Sequence, residues 1–303
     1  MATHILEPHD DAYPALLATT SPPPTLHVRG ALIPEDGLAI AIVGSRRASP
    51  YGVEVAERLA ADLAARGVTI VSGLARGIDT AAHRGALAGG GRTIAVLGHG
   101  IDQCYPRENT TLANTIETRG AVVSQFSFGM PPLRENFPIR NRTIAGLALG
   151  VVVVEAAERS GALITASAAA DFGREVFAVP GRITTETAGG PHGLLRDGAT
   201  LVRSWLDIVQ ELPLPWRNSV RDASGVLDAA ADAPGTADEC SVLAALALGE
   251  PRHIEDVIAR SGIPAACVGA SLVSLELAGR ARQLEGQRWV AMGARARRAS
   301  WRS

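Results

Sequence analysis

LAIAIVGSRRASPYGVEVAERLAADLAARG, residues 38–67, is the stretch on which the fold turns. Its start, Ala39 to Val43, is an apolar run of strand length without polar alternation, so both of its faces must be buried. The run empties into Gly44, Ser45 and Arg46. Then the period changes. Ser49 suits a helix cap, Pro50 suits the first helical position, and Val53, Ala56, Leu59, Ala60 and Leu63 recur on one face until Gly67. A strand buried on both faces and followed by an amphipathic helix is half of a βαβ unit, and such strands belong to parallel sheets covered by helices.

The same alternation continues to residue 212. Further strands are expected at 68–71, 93–97, 121–124, 151–155 and 176–179, with helices between them, which gives an α/β domain over residues 38–212. Residues 1–37 read as a lead-in segment. PLPWRNSVRDASGVLDAAADAPGTADE, residues 213–239, loses all periodicity and reads as a flexible linker. From 240 to 292 three short helical segments precede RARQL, the turn EGQ and RWVAM, the outline of a small winged-helix domain. Residues 293–303 form a basic tail.

Composition narrows the chemistry. Of 303 residues 47% are hydrophobic but only 4% aromatic, so the core is built from Ala, Val, Leu and Ile. All 29 basic residues are arginine, which removes a Schiff-base lysine and a Walker-type phosphate loop. With a net charge of -2, any nucleic-acid contact must be a local patch. The three cysteines and seven histidines show no metal-ligand spacing, so neither a metal nor a cofactor is expected. No apolar run spans a bilayer and no signal pattern opens the chain, which points to a cytoplasmic protein without a membrane partner.

In an open parallel sheet, ligands bind beyond the carboxyl ends of the strands. The loops leaving them are GSRRASPYG (44–52), SGLARGIDTAAH (72–83), GHGIDQCYPREN (98–109) and EAAERSGALITA (155–166). Glycine beside a helix start lets backbone N–H groups approach a phosphate, and Ser45 and Arg46 are placed to complete such a site. The same logic fits Ser160, Gly161 and Thr165. Nicotinamide binding is disfavoured, because the first strand leads to GSRRAS and not GxGxxG. There is no GxSxG elbow, and His83, His99 and His192 read as polar loop or turn residues. Glu155 is the best lone carboxylate for acid–base work, with a structural bond to a neighbouring loop as the competing reading.

One more segment stands out. In FPIRNRTIAGLALG, residues 137–150, Pro138 disfavours helical geometry at Phe137, so a helix is expected to begin close to Arg140. Two arginines at a partly positive helix start are locally unfavourable unless an anion binds there. Arg140, Asn141 and Arg142 are therefore expected to clamp a phosphate beside Arg46. A salt bridge to Glu135 or Glu155 is the alternative.

Taken in order, GSR with YG, SGLARGIDTAAH, TIAVLG.GID..YP.EN, FPIRNR.IAGL, VVVVEA...SGALITA..A...GREVFAVPG and the late DGA resemble the DNA-processing protein A family, over roughly residues 13 to 205 from YPALL and HVRGAL onward. The resemblance implies an extended Rossmann-like domain, often followed by a winged helix. It also implies sequence-independent binding of single-stranded DNA, a homodimer, help in loading the RecA recombinase during natural transformation, and no enzymatic activity. By motif match Ser45, Arg46, Arg140, Asn141, Arg142, Ser160 and Thr165 would line the DNA groove. Three departures accompany it: the N-terminal helical domain of many members is not seen before YPALL, Gln125 follows Ser124 where a glutamate is usual, and His192 takes the place of an asparagine. Two other readings remain: an enzyme or sensor for a nucleotide-derived ligand, and a sequence-specific DNA reader. The second sits badly with PAACVGASLVSLELAG, which holds no basic residue.

Overall fold

In the computed structural model, which describes residues 3–221, 236–246, 251–277, 281–284 and 286–291, the chain divides into a unit of residues 1–222 and a second of 223–303. The first unit runs β1 (Thr3–Leu6), α1 (Ala15–Ala18), β2 (Leu26–Gly30), β3 (Ala39–Val43), α2 (Pro50–Ala64), β4 (Thr69–Ser72), α3 (Ile78–Ala88), β5 (Thr93–Leu97), α4 (Thr110–Arg119) and β6 (Ala121–Ser124). It continues with α5 (Asn136–Gly146), β7 (Gly150–Val153), α6 (Gly161–Asp171), β8 (Glu175–Ala178), α7 (Gly189–Arg196), β9 (Thr200–Leu201), α8 (Trp205–Glu211) and α9 (Leu214–Ser219).

These strands form one nine-stranded sheet in the order β1-β2-β6-β5-β4-β3-β7-β8-β9. From β6 to β9 the pairing is parallel, and β1 and β2 add antiparallel at one edge. β3 shows why its sequence has no polar alternation. Ile40 and Ile42 point into the core layer under α2 and α3, whereas Ala39, Ala41 and Val43 point into the opposite layer with Ile144, Ala145 and Ala166 of α5 and α6. The order of the strands reverses between β3 and β7, which pair in register from Ile40 with Gly150 to Val43 with Val153. That reversal opens a crevice at their carboxyl ends, the usual ligand position in such sheets.

Two sequence expectations change here. The lead-in is part of the sheet: Leu26 and Val28 are buried while His27 and Arg29 are less so, the alternation of a strand with one covered face. Arg29 also reaches Glu117 of α4 at 2.9 Å. The expected linker begins with ordered structure, since Leu214–Ser219 is helical and Trp216 packs against Gly37 and the α2 layer. Its end is ordered too, since Thr236 caps a helix that begins at Ala237, whereas residues 222–235 and the basic tail lie outside the described residues.

The second unit contains α10 (Ala237–Ala245), β10 (Arg252–His253), α11 (Ile254–Ser261), α12 (Ala265–Leu277), β11 (Ala281–Leu284) and β12 (Arg288–Ala291). Its antiparallel sheet runs β10-β12-β11. Val242, Val257, Val268, Leu272 and Trp289 share one small core. Three helices with such a sheet make a winged helix. Among the described residues no single helix is long and apolar enough to cross a membrane.

Candidate nucleic-acid interface

A cleft of about 840 Å³ occupies the crevice at the strand reversal. The loop after β3 forms its rim, and backbone bonds hold that loop from two sides. Ser45 N donates to the Glu155 carbonyl beyond β7 at 2.6 Å, and Ile78 N at the start of α3 donates to the Ser45 carbonyl at 3.2 Å. Gly77, with φ of 73°, permits the second bond: a side chain there would be strained and would strike the Ser45 carbonyl. Arg46 is thereby exposed over the cleft, its guanidinium 4.9 Å from the centre of the Phe137 ring.

Glu155 has a structural task. Its carboxylate accepts from Ser49 N at 2.9 Å and Ser49 Oγ at 2.6 Å, while Ser49 Oγ accepts from Gly52 N to cap α2. The bond to a neighbouring loop is the reading that holds.

The FPIRNR segment corrects the expectation about its helix. α5 begins at Asn136, four residues before Arg140. Pro138 falls within the first turn, where a missing N–H costs no helical bond, so it does not delay the start. Arg140 and Arg142 therefore lie in the second turn, roughly 200° apart around the axis, and their charges do not oppose the helix N-terminus. Arg142 points away from Arg46, 3.8 Å from Asp171 and 4.8 Å from the Phe172 ring centre, so it does not complete a clamp in the cleft.

Arg140 lines the cleft floor but is 3% exposed. Its Nη1 donates to the Val96 carbonyl at 3.1 Å, and neither Glu135 nor Glu155 is its partner. The facing charge is Asp79, held by Gly73 N at 3.1 Å and Ala75 N at 3.4 Å. Gly73 makes room for both groups. A Cβ there would lie 2.5 Å from Arg140 Cζ and 2.7 Å from Asp79 Oδ2. Burial brings the Arg140 pKa down to about 10, with Arg46 adding to the fall and Asp79 opposing it; the group stays charged at neutral pH. Burial raises the Asp79 carboxyl against the pull of Arg140.

The opposite wall comes from α6. Ser160 caps it by accepting from Ala162 N at 3.3 Å, Gly161 is exposed at its first turn, and Thr165 is buried along the wall. Asn141 Nδ2 donates to the Gly161 carbonyl at 3.0 Å and so ties α5 to this helix start. The structure thus brings together Gly44, Ser45, Arg46, Arg140, Asn141, Ser160, Gly161 and Thr165, and leaves Arg142 outside.

Arg47, Tyr105, Arg134 and Asp79 also line the cleft and escaped the sequence reading. The signal for Arg134 was a basic residue just before FP, and for Tyr105 the aromatic of YPREN, which approaches Phe137 at 6.3 Å. Among the described residues Arg46, Arg47 and Arg134 have no carboxylate in ion-pair range, whereas the nearby Arg76 is held by Glu108 at 2.6 and 2.8 Å. Phe128, by contrast, packs on His27 outside the cleft.

Three histidines near the strand ends make local hydrogen bonds. His83 lies in α3, not in a loop, with Nδ1 against Thr93 Oγ1 at 2.7 Å; burial pushes its pKa down to about 3. The Thr93 hydroxyl itself donates to the Ile70 carbonyl. His99 accepts from Tyr105 N at 3.2 Å, and His192 bonds the Gly181 carbonyl. Gln125, in the place of the usual glutamate, accepts a short hydrogen bond from Thr143.

Comparison with known proteins identifies the family. The family described as DNA recombination-mediator protein A matches residues 4–213, and a domain described as DprA winged helix matches 227–287. Protein Smf of Escherichia coli is 44% identical over 281 residues, covering 91% of this chain and 74% of its own. The X-ray structure of DNA processing protein A from Streptococcus pneumoniae aligns with a TM-score of 0.66 at 43% identity, covering 70% of this chain and 75% of that one. A DNA processing protein A from Helicobacter pylori, whose structure concerns its single-stranded DNA binding mode, aligns at 0.61 with 27% identity, covering 69% and 94%. The family match spans more than half of the residues and the relatives agree in sequence, so the chain belongs to the DNA recombination-mediator protein A family, the DprA/Smf proteins.

Proposed function

We propose that the cleft binds the backbone of single-stranded DNA, without regard to sequence, and that the protein uses this grip as a recombination mediator. The observation that carries this reading is electrostatic. Arg46, Arg47, Arg134 and Arg140 converge with the start of α6 on one cleft, against the single buried carboxylate of Asp79 among its described lining residues. Arginine forks and helix starts both favour phosphate, and a cleft in low-dielectric walls concentrates their field. Tyr105, 43% exposed at the cleft, adds an apolar face on which any base can rest.

The wider reading follows the family. The protein would act as a homodimer in the cytoplasm, protecting incoming DNA and helping to load RecA in natural transformation, and it would not be an enzyme. Its winged helix would contact protein, since α12 reads AACVGASLVSLEL and offers no basic side chain to a DNA groove. Two features support a non-catalytic role: Glu155 is committed to Ser49, and no histidine is among the described residues that line the cleft.

The test is binding of oligo-dT and of a mixed-sequence oligonucleotide to the wild type and Arg46→Ala. Both strands are expected to bind alike, and the variant to weaken both by about 10-fold or more. Absence of binding by the wild type, or a strong preference for one sequence, would refute the proposal.

A further inference from the structure

Arg142, turned away from the cleft, stands over a second feature. A groove of about 480 Å³ runs between α5 and α6 and meets the cleft at Pro138 and Ile164, which line both. Ile139 and Ile164 leave 46% and 42% of their surfaces in water there, and Arg142 also lines the groove. On α6 the groove residues Ile164, Ser167, Ala168 and Asp171 follow the i, i+3, i+4, i+7 spacing of a single helix face. The groove thus carries aliphatic surface, interrupted by Ser167, from the mouth of the cleft to Arg142 and Asp171.

That arginine is poised for an anion. Its contact with Asp171 is long, at 3.8 Å, and both side chains are about half exposed, at 48% and 62%. A pair of that kind contributes little and is readily exchanged. The Phe172 ring beneath the guanidinium limits where the charge can go.

We propose that single-stranded DNA leaving the cleft continues along this groove, with Arg142 holding a phosphate outside the cleft and the bases lying on Ile139 and Ile164. The proposal rests on the reading of the cleft as a DNA site. Continuity at Pro138 and Ile164 selects DNA as the occupant, because the same chain that fills the cleft must exit past those residues. The floor is mostly aliphatic, with Ser167 its one neutral polar side chain and Asp171 turned to Arg142, so this second contact is expected to tolerate sequence as the first does.

Length separates the two sites. Labelled oligo-dT of about four and about twelve nucleotides would be titrated into wild type, Arg142→Ala, Asp171→Asn and Ile139→Asp over a salt series. All four proteins are expected to bind the short strand equally. On the long strand Arg142→Ala should weaken binding roughly 3- to 10-fold and remove about 0.7 from the salt slope, one phosphate for a single strand. Ile139→Asp should also weaken it, and Asp171→Asn should strengthen it by freeing Arg142. Equal effects of Arg142→Ala on both lengths, or none on either, would overturn the proposal. So would unchanged long-strand affinity with a change of oligomeric state in Arg142→Ala and Ile139→Asp, which would make the groove a protein interface. No binding of the short strand by the wild type would instead bring down the cleft reading, and this one with it.

Discussion

Replacing Gly73 by alanine should disable Arg140 without touching it. The added methyl would sit 2.5 Å from the Arg140 Cζ and 2.7 Å from Asp79 Oδ2, so the guanidinium must leave its place. It then gives up the bond from Nη1 to the Val96 carbonyl, a charge-assisted hydrogen bond of about 1.5–3 kcal/mol. For a unit of this size, at about 2–4 °C per kcal/mol, melting should fall by roughly 3–12 °C. If Arg140 grips a phosphate, DNA affinity should fall by a similar free energy, roughly 10- to 150-fold. Thermal melting and fluorescence anisotropy with oligo-dT, on Gly73→Ala, Arg140→Ala and the double variant, measure both quantities. In the Arg140→Ala background the alanine at 73 should cost almost no further affinity, because the guanidinium it displaces is gone and the remaining neighbour, Asp79, holds no phosphate. Wild-type binding by Gly73→Ala, or a double variant that loses the sum of the two single effects, would refute this account of the floor.

Other consequences follow from the same structure. His83 is neutral in the fold, with its pKa pushed down to about 3, whereas in the unfolded chain it titrates near its ordinary 6.5. Its contribution is therefore complete above about 6.5 and is lost as pH falls toward 3, by up to about 1.4 kcal/mol per pH unit; urea midpoints between pH 7 and 4.5 should fall less steeply in His83→Asn. Glu155→Gln keeps only one acceptor for Ser49 and should cost about 1–3 kcal/mol of stability in denaturant melts, with DNA affinity nearly unchanged. A shortened chain ending at Asp222 should bind oligo-dT within about 3-fold of the full chain, and a loss as large as that of Arg46→Ala would give the winged helix a direct share in the grip.

The parallel core was legible because burial on both faces leaves runs such as AIAIV and GVVV with no polar residue, a pattern few other elements share. β1 and β2 escaped because a strand with one covered face alternates, and LHVRG is short and follows three prolines. β9 is two residues long and carries no period at all. In the cleft, the glycine and serine positions were readable from the loops that leave β3 and β7, since strand ends fix where such loops lie. The orientation of the arginines was not. Pro138 stands equally well before a helix or inside its first turn, and that difference of a few residues decides whether Arg140 and Arg142 sit at the helix start or a turn beyond it. Asp79 and Arg140 meet across Gly73 only because β4, β5 and α5 converge there, a long-range fact that no local spacing encodes.

The central claim is that the cleft at the β3–β7 reversal holds DNA by its phosphates. Its most direct test is the salt dependence of oligo-dT affinity for the wild type beside Arg46→Ala. A linear fall of log affinity with log salt is expected, shallower in the variant by about 0.7, the share of one single-strand phosphate. Affinity independent of salt, or slopes that coincide in the two proteins, would contradict it.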